Sequence, residues 1–220
     1  MKTLKPMDIS ACSRVKKAVE QAMKIYLNQL NSGLLTIGLE NAFQFHIAEN
    51  VSNILKINRY KADEIFTIDL EQNLPINGNK DYVDIVINYH RKEEDLKFLL
   101  ELKFKKKSDS APDLGNIESY KDIYNLDSHK ATKKVDNCFF IFLTDLETYI
   151  KESKRGTRLE LPMYDGCTIK RKIYYNVTGK SAKKNTQKYP KGFVFNYNHK
   201  IEYTRFEINS KPYWYFILEI

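Results

Sequence analysis

The sequence is poor in glycine, proline and cysteine, and it has no long apolar run. Its 220 residues include 8 Gly and 6 Pro, with 42% hydrophobic and 29% charged residues, as in ordinary globular proteins. This composition excludes disordered, collagen-like and low-complexity chains. No run of about 18 apolar residues is present, which excludes a membrane-spanning helix, and residues 1–30 are too rich in Lys and Glu for a signal peptide. We therefore expect a soluble, cytoplasmic protein that does not bind membranes.

Cysteine and histidine are too scattered for the metal sites that these residues usually form. Cys12, Cys138 and Cys167 are odd in number and include no CxxC pair, which argues against a disulfide framework or a structural zinc site. The histidines are equally dispersed, so neither a His-rich metal site nor a Cys–His nucleophile pair is supported. Any metal is therefore expected to bind oxygen ligands.

Positive charge is concentrated in one part of the chain. The formal net charge is +8, and the segment from Lys151 to Lys191 contains 12 Lys and Arg residues against 3 acidic residues, a local surplus of +9. A one-sided basic segment is typical of proteins that bind a polyanion, although a solvated surface without a partner is the alternative interpretation. We predict nucleic-acid contacts at Lys170, Arg171, Lys172, Lys180, Lys183, Lys184, Lys188 and Lys191.

Hydrophobic periodicity predicts the order of helices and strands. Apolar residues recur at helical spacing from Val15 to Leu30, with Ser10 as the N-cap, again from Leu39 to Leu55, and in a third segment that Pro112 opens. Alternating or continuous apolar segments predict strands at 64–70, 82–89, 96–104 and 137–143. The resulting order is helix, three strands, helix, strand.

This order predicts an α+β fold with a mixed central sheet flanked by helices. The core covers about residues 34–144, and residues 145–220 form a basic, β-rich C-terminal extension. A chain of 220 residues fits one domain. We therefore expect a single domain over residues 1–220.

Charged residues on two neighbouring strands provide a candidate catalytic site. Glu101 and Lys103 lie on one face of the predicted strand, about 7 Å apart, and Asp84 is embedded among apolar residues of the preceding strand. If the two strands pair as a hairpin, the two acids converge beside an ammonium group, which is the set needed for a Mg²⁺-activated water. The alternative interpretation is a buried ion pair of Lys103 with Asp84 or Glu101.

These residues resemble the PD-(D/E)XK nuclease superfamily, also called restriction endonuclease-like. Asp84 matches the Asp of the second core strand, and Glu101-Leu102-Lys103 matches D/E-X-K on the third, with Val83 in place of Pro. Many members also have a Glu on the first core helix, which is similar to Glu40 here, with Glu49 as the competing helical acid. The segment from Asn116 to Tyr120 resembles a Q-x-x-x-Y motif of some members, with Asn in place of Gln. The resemblance covers about half of the chain.

The resemblance implies metal-dependent hydrolysis of phosphodiester bonds. Asp84, Glu101 and the carbonyl of Leu102 are implied to hold Mg²⁺, for which Mn²⁺ can substitute, and Lys103 to orient or activate the attacking water. Glu40 is implied to bind a second metal or to position the water, and Tyr120 to contact nucleic acid. We expect duplex DNA as the partner of a monomer or a homodimer.

Two other functions are also compatible with the sequence. One is a nuclease-like module that binds nucleic acid without cleaving it, although the intact Asp84, Glu101 and Lys103 speak against this. The other is a nuclease acting on RNA or single strands, for which some of the 15 tyrosines serve as stacking surfaces. Among nucleases, a restriction or other defence endonuclease is favoured, because no GxxxxGK[ST] motif of an ATPase is present.

Overall fold

The fold was analysed in a computed structural model that describes residues 10–36, 38–59, 61–76, 80–109, 111–177 and 191–220. Its helices are α1 Ala11–Asn31, α2 Glu40–Ile57, α3 Pro112–Ala131, α4 Glu147–Ile150 and α5 Thr157–Glu160. Its strands are β1 Ile65–Asn73, β2 Tyr82–Arg91, β3 Glu94–Lys105, β4 Asn137–Thr144, β5 Thr168–Ile169, β6 Tyr174–Asn176, β7 Gly192–Val194, β8 His199–Lys200, β9 Thr204–Ile208 and β10 Lys211–Glu219. The predicted order from the second helix to the buried strand is confirmed by α2, β1, β2, β3, α3 and β4.

Six strands form one mixed sheet in the order β1-β2-β3-β4-β10-β9. Strands β3 and β4 are parallel, because α3 connects them, and all other neighbours in this sheet are antiparallel. Two further two-stranded sheets pair β5 with β8 and β6 with β7. The fold is therefore mixed, with helices flanking a six-stranded sheet.

Side chains of β3 alternate between two hydrophobic clusters. Phe98, Leu100, Leu102 and Phe104 are buried in the cluster that also contains the apolar residues of α1 and α2. Leu99 is buried in the second cluster, with the apolar residues of α3. The predicted alternation of β3 is confirmed, and it directs Glu101 and Lys103 toward the α3 side of the sheet.

The C-terminal part of the chain completes the central sheet and is not only an extension of it. Strand β10 pairs with β4 from Trp214 opposite Thr144 to Glu219 opposite Phe139. Strand β4 is buried along nearly its whole length, so it needs hydrogen-bonded neighbours on both sides, and β3 covers only one. The sequence analysis assigned residues 145–220 to a β-rich extension outside the core, whereas two strands of that segment, β9 and β10, belong to the central sheet.

A buried carboxylate attaches the C-terminal segment to α3. Asp127 is fully buried, and its oxygens accept hydrogen bonds from the backbone amides of Asn196 and Tyr197, from Asn196 Nδ2 and from His199 Nε2, at 2.7 to 3.1 Å. A buried charge is tolerated only when several donors compensate it. Asp127 therefore positions the segment that leads into the last strands.

None of the helices in the described ranges combines the length and the apolar character that crossing a membrane requires.

Candidate active site

The hydrogen-bond ladder between β2 and β3 ends beside the predicted acids. Its last pair is Ile85 opposite Leu100, and the same register places Asp84 opposite Glu101 one position further. Beyond this point β2 continues to pair with β1, and β3 continues to pair with β4. The two strands thus separate, and the predicted convergence of Asp84 and Glu101 occurs where they part.

Two carboxylates take the place of the missing strand partner. Asp84 Oδ2 accepts a hydrogen bond from the backbone N–H of Leu102 at 2.7 Å, and Glu40 Oε2 accepts one from the N–H of Phe104 at 3.0 Å. Buried backbone donors must be paired, and beyond Leu100 the β2 ladder no longer supplies acceptors. The open edge of β3 therefore fixes the positions of both acids.

The half-buried Asp84 and the buried Glu101 share a hydrogen bond. Burial raises the pKa of Asp84 to about 6, although the Leu102 amide and the charge of Lys103 act in the opposite direction. Burial also raises the pKa of Glu101 well above its usual value, and the charges of Asp122 and Asp84 raise it further. Glu101 therefore holds its proton more tightly and donates it to the Asp84 carboxylate.

Lys103 lies between two other carboxylates. Its Nζ is 2.9 Å from Asp122 Oδ2 and 3.4 Å from Glu40 Oε1, and its side chain is 14% exposed. Burial lowers the pKa of Lys103, but the charges of Asp122 and Glu40 outweigh that effect, so the pKa rises and the ammonium stays protonated. The alternative interpretation named Asp84 or Glu101 as ion-pair partners, and the structure gives this role to Glu40 and Asp122.

The structure distinguishes between the two helical acids considered in the sequence analysis. Glu40 is the first residue of α2, where a carboxylate is favoured by the helix dipole, and it reaches the end of β3. Glu49 lies nine residues further along, its side chain is 54% exposed, and its Oε2 is 3.9 Å from His46 Nδ1. Glu40 is therefore the acid that joins Lys103.

Gln44 supports the site from the next turn of α2. Its Nε2 donates to the backbone oxygen of Asp84 at 2.7 Å and to Glu71 Oε1 at 3.0 Å. In the β1–β2 register Glu71 falls opposite Asp84, and its φ of 53° lies in the left-handed region. Sequence reasoning missed Gln44, although its position four residues after Glu40 places both on one helix face.

Asp122 was also missed by sequence reasoning. It lies four residues after Glu118 on α3, and Glu118 accepts a hydrogen bond from Lys105 at 2.7 Å. One face of α3 thus presents two acids to two alternate lysines of β3. The signal in the sequence was that two acids four residues apart on a helix face two lysines two residues apart on a strand, because each spacing keeps both side chains on one face.

Tyr120, for which a nucleic-acid contact was predicted, is fully buried in this fold and presents no free surface for that contact. Its side chain is fully buried against Tyr175, Phe193 and Phe195, and its hydroxyl donates to the backbone oxygen of Pro162 at 2.8 Å. Asn116 of the same motif is buried too, and donates to the backbone oxygen of Leu161. This face of α3 holds the C-terminal segment, while the face with Asp122 points to the site.

The number of carboxyl groups at the site bears on which metal ion it could hold. Among the described residues, no group of three Asp, Glu, His or Cys side chains is arranged to hold a metal. Asp84 and Glu101 supply two hard carboxyl groups in contact, with the Leu102 carbonyl between Glu101 and Lys103 on the same strand. Mg²⁺ usually takes one or two carboxylates and completes its shell with water and substrate phosphate. Asp84 and Glu101 are the residues that could serve as those carboxylates.

Four of the basic residues predicted to contact nucleic acid lie next to the small β6–β7 sheet. Lys170, Arg171 and Lys172 are exposed in the turn that leads into β6, and Lys191 is exposed directly before β7. The inner residues of this sheet, Tyr175 and Phe193, pack on Tyr120. Contacts predicted at Lys180, Lys183, Lys184 and Lys188 lie outside the described residues.

Comparisons with protein-family models, with curated proteins and with solved structures found no match to this chain.

Proposed function

We propose that this protein is a metal-dependent endonuclease with a restriction endonuclease-like core, which hydrolyses phosphodiester bonds of DNA. The observation that carries the proposal is the convergence of Asp84 and Glu101 where β2 and β3 separate, with the Lys103 ammonium two residues along the same face. The helix-strand order around this point supports it. The raised pKa values of Asp84 and Glu101 also support it, because carboxyl groups that are costly to ionise suit a place beside a cation.

Asp84, Glu101 and the Leu102 carbonyl would hold Mg²⁺ or Mn²⁺, which supplies Lewis acidity and lowers the pKa of bound water. Both carboxyl groups would hold the ion as carboxylates, so Glu101 would have to release to solvent the proton that it donates to Asp84. Lys103 stays protonated and offsets the negative charge that grows on the phosphate oxygens. Glu40, at the start of α2, pairs with this ammonium and helps to hold its position.

The proposed substrate is a nucleic acid, and we favour DNA, because the chain also carries a basic, exposed surface. Lys170, Arg171, Lys172 and Lys191 belong to the segment with a local surplus of +9. Such a surface attracts a polyanion through its phosphates without reading its sequence. A role in restriction or another defence process remains part of this proposal.

The test uses four substrates and three metal conditions. Plasmid DNA, linear duplex, single-stranded DNA and RNA are incubated with the protein in Mg²⁺, Mn²⁺ or EDTA. We expect cleavage of DNA that requires metal, and no cleavage by the matched variant Asp84→Asn, which excludes a contaminating nuclease. Cleavage of RNA alone would favour the RNA nuclease. Binding without cleavage of any substrate would favour the non-catalytic module.

A further inference from the structure

The groove of about 620 Å³ at one end of the sheet contains the single tryptophan of the chain. Trp214 lines it together with the apolar residues Leu146 and Pro212 and the cationic residues Lys107 and Arg205. An indole that lines an open groove can stack on flat aromatic ligands. This groove plays no part in the site described above.

The sheet register places Trp214 on the same face as the catalytic strand residues. Lys105 is opposite Thr144, Thr144 is opposite Trp214, and Trp214 is opposite Arg205, so these four side chains form one row across β3, β4, β10 and β9. Lys103 precedes Lys105 by two residues and shares its face. The row therefore runs from the end of the candidate active site to the indole.

The distance between Lys103 and Trp214 corresponds to a few nucleotides. Trp214 is two strands away from Lys105 and Lys103 is two residues back along β3, so their backbones are about 12 Å apart at the usual strand spacing and rise. Successive nucleotides of one strand in duplex DNA rise about 3.4 Å. A strand whose phosphate lies at Lys103 would reach Trp214 within about four nucleotides.

The charges of the groove favour a base over a phosphate. Its two cations are accompanied by Asp145 and Glu147, and Arg205 already pairs with Glu207 at 2.8 Å. A nearly balanced groove gains little from a phosphate, whereas a base offers a π-face to the indole and polar edges to the surrounding groups. Asp145 accepts a hydrogen bond from the Lys107 amide, which holds its carboxylate at the groove.

We propose that this groove binds an unpaired nucleobase of the substrate strand, stacked on Trp214, within about four nucleotides of the scissile phosphate. The inference rests on the proposed function. The base must be unpaired or terminal, because inside a duplex both faces of a base are covered by its neighbours. The substrate is accordingly DNA with a single-stranded segment near the cleavage position.

The test uses the fluorescence of Trp214, which reports on this groove alone because the chain has one tryptophan. The protein is titrated in EDTA with a labelled single-stranded oligonucleotide, and label anisotropy and indole emission are followed together. We expect saturable quenching of the indole that coincides with binding. A fully paired duplex with closed hairpin ends should bind with little quenching. Quenching as strong by that duplex would overturn the claim that the base is unpaired.

Variants separate stacking from general stability. Trp214→Leu should weaken single-strand binding about tenfold, and Trp214→Phe, which keeps a ring, should weaken it much less. Phe45→Leu, at an exposed aromatic residue of α2, is the matched control and should leave binding unchanged. Loss of thermal stability in the Trp214 variants does not affect the fluorescence titration, which uses the unmodified chain.

The outcomes distinguish this inference from the proposed function. Oligonucleotide binding without indole quenching, together with unchanged affinity of Trp214→Leu, would overturn the nucleobase site and leave the nuclease proposal standing. Absence of binding to any nucleic acid by anisotropy would overturn both.

Discussion

The Asp84 carboxylate accepts the hydrogen bond of the Leu102 amide at 2.7 Å, and thereby replaces the strand partner that β3 loses beyond Leu100. The candidate metal ligand is thus held by the backbone of the strand that carries Glu101 and Lys103. Asp84 therefore has both a structural role and a chemical role.

Removing either paired acid should abolish metal binding and activity together. Asp84→Asn and Glu101→Gln each replace a hard carboxylate with a neutral amide, while Lys103→Ala leaves both acids in place. We expect calorimetric titration with Mn²⁺ to show binding to Lys103→Ala but not to the other two, and cleavage assays to show no turnover for all three. Normal cleavage by Lys103→Ala would contradict the proposed role of the Lys103 ammonium in turnover.

Asp84 should make stability depend on pH in the absence of metal. Its pKa of about 6 lies above the ordinary value of 3.8, so the folded state binds the proton more tightly than the unfolded state. The free energy of unfolding therefore decreases as pH rises from about 4 to about 6, by up to about 3 kcal/mol. Below pH 4 this contribution is absent, because Asp84 is protonated in both states. Asp84→Asn should be more stable than the unmodified protein above pH 6, with the difference vanishing near pH 4.

Urea unfolding in EDTA between pH 4 and 8 measures this difference. Glu93→Gln, in an exposed turn between β2 and β3, removes the same charge without burial and is the control. A constant difference between Asp84→Asn and the unmodified protein over the whole range would contradict the prediction.

Asp122 should act as a positioning residue for Lys103. In Asp122→Asn the ammonium keeps Glu40 as a charged partner within 4 Å, and we expect turnover to fall about tenfold while Mn²⁺ still binds. The pH profile of turnover should also shift, since Asp122 raises the pKa of Lys103. Glu118→Gln, which disrupts the equivalent pair with Lys105 one turn earlier, should change turnover much less. Equal losses for both variants would indicate a general effect on α3.

Neutralising Lys170, Arg171 and Lys172 together should weaken DNA binding to all sequences alike. If all three contact phosphates, the slope of log K against log salt should decrease in magnitude by about 3. Binding is measured by anisotropy at several salt concentrations in the Lys103→Ala background. The control neutralises Lys16, Lys17 and Lys24, three exposed lysines of α1. An identical slope for the two triple variants would identify the basic turn as a solvated surface only.

Asp127 should matter for stability and not for chemistry. In Asp127→Asn one oxygen becomes a donor facing other donors, and a loss of about 3 kcal/mol or more in the free energy of unfolding is expected. Asp69→Asn, which replaces an exposed carboxylate that accepts from Asn88, should cost well under 1 kcal/mol. Chemical denaturation measures both variants, and comparable values would refute the role assigned to Asp127.

Much of the candidate site followed from local patterns. The alternation of β3 places Glu101 and Lys103 on one face, and the short turn after β2 places Asp84 opposite Glu101. Both results depend only on the two-residue period of strands and on a tight connection, which neighbouring residues determine. Glu40 required the resemblance to a known family, because helical periodicity alone did not separate it from Glu49.

The partners of Lys103 and the completion of the sheet were decided by tertiary structure. Asp122 and Gln44 are polar residues on helices, and their proximity to β3 depends on how α2 and α3 pack on the sheet. Tyr120 is of a residue type that often contacts nucleic acid. However, Tyr175 and Phe193, more than fifty residues later in the chain, pack against it and bury it.

The sequence by itself determined the order of elements, the faces of the strands and the convergence of Asp84 with Glu101, since these follow from backbone geometry over a few residues. Only the tertiary structure decided which carboxylates hold Lys103, that β10 and β9 finish the central sheet, and that Trp214 shares a row with Lys105. Contacts of this kind join segments distant in the chain, and their energies depend on burial and on pairing that no local pattern encodes.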